Sequence, residues 1–145
     1  MISDPLANCC SLRALVVVAA LVLPGCAPSN IARSSCSNTV LAVHDIWTCT
    51  VTGQVVGQTN SIEFDTESRN QIAQVNIELQ VTKGTLRVRY HDLAGPQQIV
   101  VTPSEPARVE MKTKMHPERR SFTLVFEPVN GNAEGLTGTV KYRIL

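Results

Sequence analysis

The sequence predicts an all-β protein, a single antiparallel β-sandwich of about eight strands for which a jelly roll is one fitting connectivity. Three observations carry that reading. Apolar and polar residues alternate with a period of two along one segment after another. Turn residues punctuate the chain roughly every ten positions, and no stretch shows a convincing helical period. A length of 145 residues is that of one domain. With 43% apolar and 17% charged residues the chain sits near globular averages, which excludes wholesale disorder and a multi-span membrane protein.

The first element is not part of that domain. Ala14 to Leu23 (ALVVVAALVL) is an uninterrupted apolar run preceded by Arg13. It is too short to cross about 30 Å of hydrocarbon as a helix, and it has the length of the apolar region of an export signal. Leu23-Pro24-Gly25-Cys26 follows directly, and this tetrapeptide resembles the lipobox of bacterial lipoproteins. The resemblance implies that residues 1–25 are a signal peptide cut away before Cys26, and that Cys26 becomes the acylated first residue. Each buried methylene contributes about 0.8 kcal/mol, so two or more acyl chains hold a protein stably on a bilayer. Ala27 rather than Asp after the cysteine resembles the pattern of lipoproteins sent to the outer membrane of a two-membrane envelope; in a one-membrane cell the anchor would lie on the outer face of the cell membrane.

On that reading Cys9 and Cys10 leave with the signal and Cys26 carries lipid, so Cys36 and Cys49 remain in an oxidising compartment and invite one disulfide. The alternative is a free thiol at Cys36 and a small buried hydrophobe at Cys49. Two cysteines alone are too few for a closed zinc site. Residues 27–39 (APSNIARSSCSNT) are rich in Ser, Asn and Pro without apolar periodicity, and with Cys26 they read as a lipidated tether, 26–39, ahead of a sandwich domain, 40–145.

The strands then follow in order. Trp47, Cys49, Val51 and Val55 alternate with Thr48, Thr50, Thr52 and Gln54; Ile62 and Phe64 alternate with Glu63 and Asp65. Val75, Ile77, Leu79 and Val81 lead through Lys83-Gly84 to Leu86, Val88 and Tyr90. A two-residue hairpin there would pair Val81 with Leu86, Leu79 with Val88 and Ile77 with Tyr90 on one face. Further strands are expected over 98–102, 107–115, 121–127 and 137–145, the last two separated by the turn signal Asn130-Gly131-Asn132.

Function is less legible. Thirteen Lys and Arg against twelve Asp and Glu give a formal charge of +1, which lacks the basic excess of a nucleic-acid binder. No nucleophile elbow, phosphate-binding glycine loop, His-Glu-x-x-His or calcium loop is present, and nothing calls for a cofactor. His44, His91 and His116 each stand beside an acid in an expected loop. Convergence of the three would support a small metal-dependent or hydrolytic enzyme; scattered, they are ordinary turn residues. All six aromatics (Trp47, Phe64, Tyr90, Phe122, Phe126, Tyr142) fall in the inward register, so they are expected in the core and not on a sugar-stacking platform. What remains is charge. The outward register of three strands holds Arg87, Arg89, Arg108, Lys112, Lys114, Lys141 and Arg143 with Glu110 as the acid among them. If those strands share a sheet, they form a binding face for a protein or envelope component. The leading expectation is therefore a non-catalytic binding, accessory or scaffold lipoprotein of the envelope, with no nucleic-acid partner.

Overall fold

The computed structural model describes residues 31–41, 44–66, 68 and 71–145. The expected signal segment and Cys26 lie outside them. The chain runs β1 (Arg33–Leu41), β2 (His44–Val56), β3 (Asn60–Asp65), β4 (Ile72–Gln80), β5 (Lys83–Asp92), β6 (Gly95–Val101), β7 (Ala107–Lys114) and β8 (Ser121–Ile144), with antiparallel pairing throughout. The all-β, antiparallel expectation holds. No helix long and apolar enough to cross a membrane occurs among the described residues.

The long strand β8 organises the sandwich. Its first part, 121–134, pairs with β3 on one side and β5 on the other, and β6 continues from β5. Its second part, 133–144, pairs with β2 and β4, giving the order β1-β2-β8-β4-β7. One hydrogen-bonded sheet is thus bent into two halves that face each other. The expected break at Asn130-Gly131-Asn132 is instead the bend. Asn130 (φ 56) and Gly131 (φ 118) occupy left-handed backbone space, which Asn and Gly tolerate best, so the strand turns without ending.

Across the gap the inward registers of both halves pack together. Ile77, Leu79, Val140 and Tyr142 come from one half, and Phe64, Leu86, Val88, Leu124 and Phe126 from the other. The Tyr142 ring meets Phe122 and Phe64 edge-on at 5.1 and 6.3 Å, and its hydroxyl donates to the Asp65 carbonyl at 2.6 Å. Burial, and secondarily the Asp65 charge, raise the Tyr142 pKa, which keeps that donor protonated. Five aromatics are buried as expected, while Trp47 is half-buried at the margin, stacked on Tyr142 at 6.0 Å.

The Lys83-Gly84 hairpin does not form. Strand β4 pairs with β7 and β8, and β5 with β6 and β8, so the two strands never pair with one another. Instead the chain arches from one half to the other over Glu134. Thr82 N donates to the Glu134 carbonyl at 2.9 Å and Lys83 Nζ reaches the Glu134 carboxylate at 3.0 Å. A tight two-residue hairpin turn of the favoured type wants positive φ at both loop residues; here Gly84 has it (φ 78) and Lys83 does not. The buried faces are nevertheless those expected, because a hairpin and an arch both turn Leu79 and Val88 inward.

Strand β1 is a further departure, since residues 33–39 of the expected tether form the edge strand beside β2. Its side chains at 33–39 are exposed on both faces, so packing contributes little to holding it. Backbone pairing and the Cys36–Cys49 disulfide, which joins directly opposed residues, hold it instead.

Candidate functional site

The outward face of the five-stranded half is a grid that can be read from the pairing register. One row is Arg33, Thr52, Thr137 and Gln80; the next is Ser35, Thr50, Thr139, Glu78 and Arg108. Then come Ser37, Thr48, Lys141, Asn76 and Glu110, and after them Thr39, Ile46, Arg143, Gln74 and Lys112. Lys114, opposite Ile72, lies one row further. Rows are about 6.8 Å apart along the strands and columns about 4.8 Å apart across them.

Two chemistries divide this face. Hydroxyls dominate the first two rows, where a cleft of about 630 Å³ is lined by Thr50, Thr52, Thr137, Thr139, Gln80 and the Glu78–Arg108 pair, among others. That ion pair closes at 3.1 Å with both side chains well exposed, so it contributes at most about 1 kcal/mol and serves mainly as a wall. Cations dominate the later rows. Lys141 and Arg143 flank a smaller depression of about 280 Å³ floored by Ile46, Gln74 and Asn76. Gln74 fixes the arginine: its Oε1 accepts from Arg143 Nε at 3.1 Å and Nη2 at 2.6 Å, while its Nε2 donates to Glu110 at 2.8 Å. Glu110 is therefore engaged by a neutral amide. Among the described residues, Lys112, Lys114 and Lys141 are exposed and make no ion pair.

The expected seven-residue basic face is thus corrected to five. Arg108, Lys112, Lys114, Lys141 and Arg143 share the face, but Arg87 and Arg89 stand on β5 in the other half. There they flank Glu127 at 3.5 and 3.4 Å and share its one carboxylate. The physical reason is the arch, which carries β5 out of the sheet half that holds β7 and the end of β8. On that same half Glu63 faces Arg119 at 3.3 Å and accepts from Ser121 Oγ.

The histidines do not come together. His44 begins β2, while His116 follows the end of β7, three strand spacings away or roughly 14 Å. His91 lies on β5 in the other half, exposed. The His116 Nδ1 accepts from Arg119 N at 3.2 Å and its backbone N–H donates to Ser121 O at 2.7 Å, so its ring ties the 116–120 turn. Among the described residues no group of three or more His, Cys, Asp or Glu is placed to hold a metal ion.

Sequence reasoning missed the hydroxyl rows and Gln74. The available signal was Thr48-Cys49-Thr50-Val51-Thr52 and Thr137-Gly138-Thr139, two runs that each put threonine on every outward position.

The chain matches no protein-family model and no curated protein. Several solved structures are similar to it at low identity. A protein of the disulfide-linked pili of Bacillus endospore appendages is 14% identical, with a TM-score of 0.39, over 79% of this chain and 88% of that one. The CBM22-1 xylan-binding domain of Xyn10C from Paenibacillus barcinonensis is 13% identical, with a TM-score of 0.40, over 79% and 93%. A family 11 carbohydrate-binding module from a Clostridium thermocellum cellulosomal cellulase is 8% identical, with a TM-score of 0.32, over 77% and 81%.

Proposed function

We propose that the protein is a non-catalytic binding module of the bacterial envelope, held on a membrane through lipidated Cys26 and docking an anionic partner on the outward face of its five-stranded half. The observation that carries this reading is the set of unmatched cations in adjoining rows. Lys112, Lys114 and Lys141 lack acidic partners there among the described residues, and Arg143 is held by an amide, whereas Arg87, Arg89 and Arg119 of the other half each lie against a carboxylate. Unmatched charge in a cluster raises the encounter rate with an oppositely charged surface and is screened by salt.

Asn60 grips the chain where it enters the domain: its Oδ1 accepts from Ala32 N at 3.3 Å and its Nδ2 donates to Ala32 O at 3.0 Å. This entry stands beside the first row, three row spacings or about 20 Å from Lys112 and Arg143. Six residues from Cys26 to Ala32 span at most about 20 Å, so an anchored Cys26 would keep the entry end of the domain within that distance of the bilayer.

The test is the triple reversal Lys112→Glu, Lys141→Glu and Arg143→Glu in the lipidated protein, with Arg89→Gln on the other half as control. Proteins and glycans retained from solubilised membranes at low salt are compared. Loss of the retained material in the triple variant but not in the control, together with release by salt, is expected. Retention that survives the reversal in a folded protein, or that ignores ionic strength, refutes docking on this face.

A further inference from the structure

We infer that the ligand of this face is an acidic polysaccharide, a polyhydroxylated chain carrying carboxylates; this rests on the docking reading and specifies its partner. The cleft and the depression are neighbours. Thr139 and Lys141 are two residues apart on β8, and Glu78 and Asn76 are two apart on β4, so the two depressions adjoin along the strands. Together they make a track of about 20 Å along the strands, hydroxyl-lined at one end and cationic at the other. A chain lying in it must offer neutral donors and acceptors over the first half and an anion over the second.

Threonine hydroxyls both donate and accept, so they suit a ligand whose own groups are hydroxyls. An acidic protein segment fits less well, because carboxylates laid along the whole track would find no unpaired cation in the hydroxyl half, where Arg108 is already held by Glu78. A lipid surface fits less well again: flat headgroups would reach the protruding lysines but not a floor recessed between Lys141 and Arg143. The cationic end is preset for an anion, since Gln74 holds the Arg143 guanidinium through two donors before any ligand arrives. With the buried aromatics facing the core, stacking on sugar rings contributes nothing on this face. Binding must therefore come from hydrogen bonds and charge, and a neutral glycan should be held poorly.

The experiment uses the full lipidated protein in neutral detergent and measures its affinity for four probes: polygalacturonate, dextran, poly-L-glutamate and phosphatidylglycerol vesicles. Wild type is compared with Thr50→Val plus Thr139→Val and with Lys141→Glu plus Arg143→Glu, each checked for a wild-type melting transition. Valine keeps the shape and the strand preference of threonine. Polygalacturonate is expected to bind at least about tenfold more tightly than the other three probes. The threonine pair should weaken it about tenfold, as the loss of two neutral hydrogen bonds implies, and the charge reversal should abolish it. Equal binding of poly-L-glutamate with no effect of the threonine pair overturns the inference while leaving docking on the cationic rows intact. Preference for vesicles overturns it in favour of a lipid partner, and equal binding of dextran overturns it by removing the role of charge. If no probe binds and membrane retention also survives the triple reversal, both readings fall.

Discussion

Gly138→Ala should cost about 2 to 4 kcal/mol, although it adds a single methyl group. Gly138 lies in β8 between Val51 of β2 and Leu79 of β4, on the inward register beneath the hydroxyl cleft. A Cβ there would run into the Glu78 carbonyl oxygen and would stand 2.6 Å from Leu79 Cδ2 and 3.0 Å from Leu79 Cα. The side-chain carbon can rotate away, but the two backbone atoms cannot, so β4 has to move off β8. Overpacking of this kind costs about 1 to 3 kcal/mol, and stretching a ladder hydrogen bond adds about 0.5 to 1.5 kcal/mol. Urea unfolding of the variant should show a lowered midpoint with an unchanged slope. Thr139→Ala, one residue along on the outward face, should cost under about 1 kcal/mol. A Gly138→Ala protein within about 0.5 kcal/mol of wild type would show that the close β4–β8 approach is not a constraint, and the row geometry built on it would lose its footing.

Three further outcomes are expected. Leu79→Ala, which empties a site only 2% exposed, should cost about 2 to 5 kcal/mol, whereas Gln80→Ala, which loses a 3.0 Å bond to Thr137 Oγ1 at the surface, should cost under about 1 kcal/mol in the same unfolding assay; equal costs would mean the faces are wrongly assigned. The processed protein, denatured without reductant, should offer no free thiol to an alkylating label, and Cys36→Ala with Cys49→Ala should lower stability by roughly 3 kcal/mol from loop closure; two labelled thiols refute the pairing. Cys26→Ser should leave an unprocessed or aqueous-phase species in detergent partition, and an unchanged mature mass and partition would refute lipidation.

What could be read from the sequence was the side each residue faces, because alternation is a local property of a pleated strand. Val75 to Val81 and Leu86 to Tyr90 were assignable as inward without knowing their neighbours. The partner of a strand is not a local property. The same alternation satisfies a hairpin, with both strands in one sheet, and an arch, with the strands facing across the core. Strand β1 lacked even the local signal, since exposure on both faces leaves Ser34, Cys36 and Asn38 as polar or small as Ser35 and Ser37. Asn130-Gly131 carried turn chemistry that the fold uses for a bend inside β8. The expected number of strands therefore coincides with the observed one through two errors of opposite sign: one strand missed, and two fused.

The arch also decides the charge pattern of the candidate face. By carrying Arg87 and Arg89 to the other half it places them beside Glu127, and by keeping β4 between β8 and β7 it interposes Gln74 and Asn76 between two cationic columns. Like charges directly opposed across strands are destabilising; here Lys141 and Arg143 are separated from Lys112 by a full strand of neutral amides, about 10 Å between columns. That spacing lets the face keep its positive charge without an opposing carboxylate in each row. Between the columns it leaves the amides of Gln74, which holds Arg143 and Glu110, and of Asn76, so repulsion within the sheet is relieved without a carboxylate between the cations.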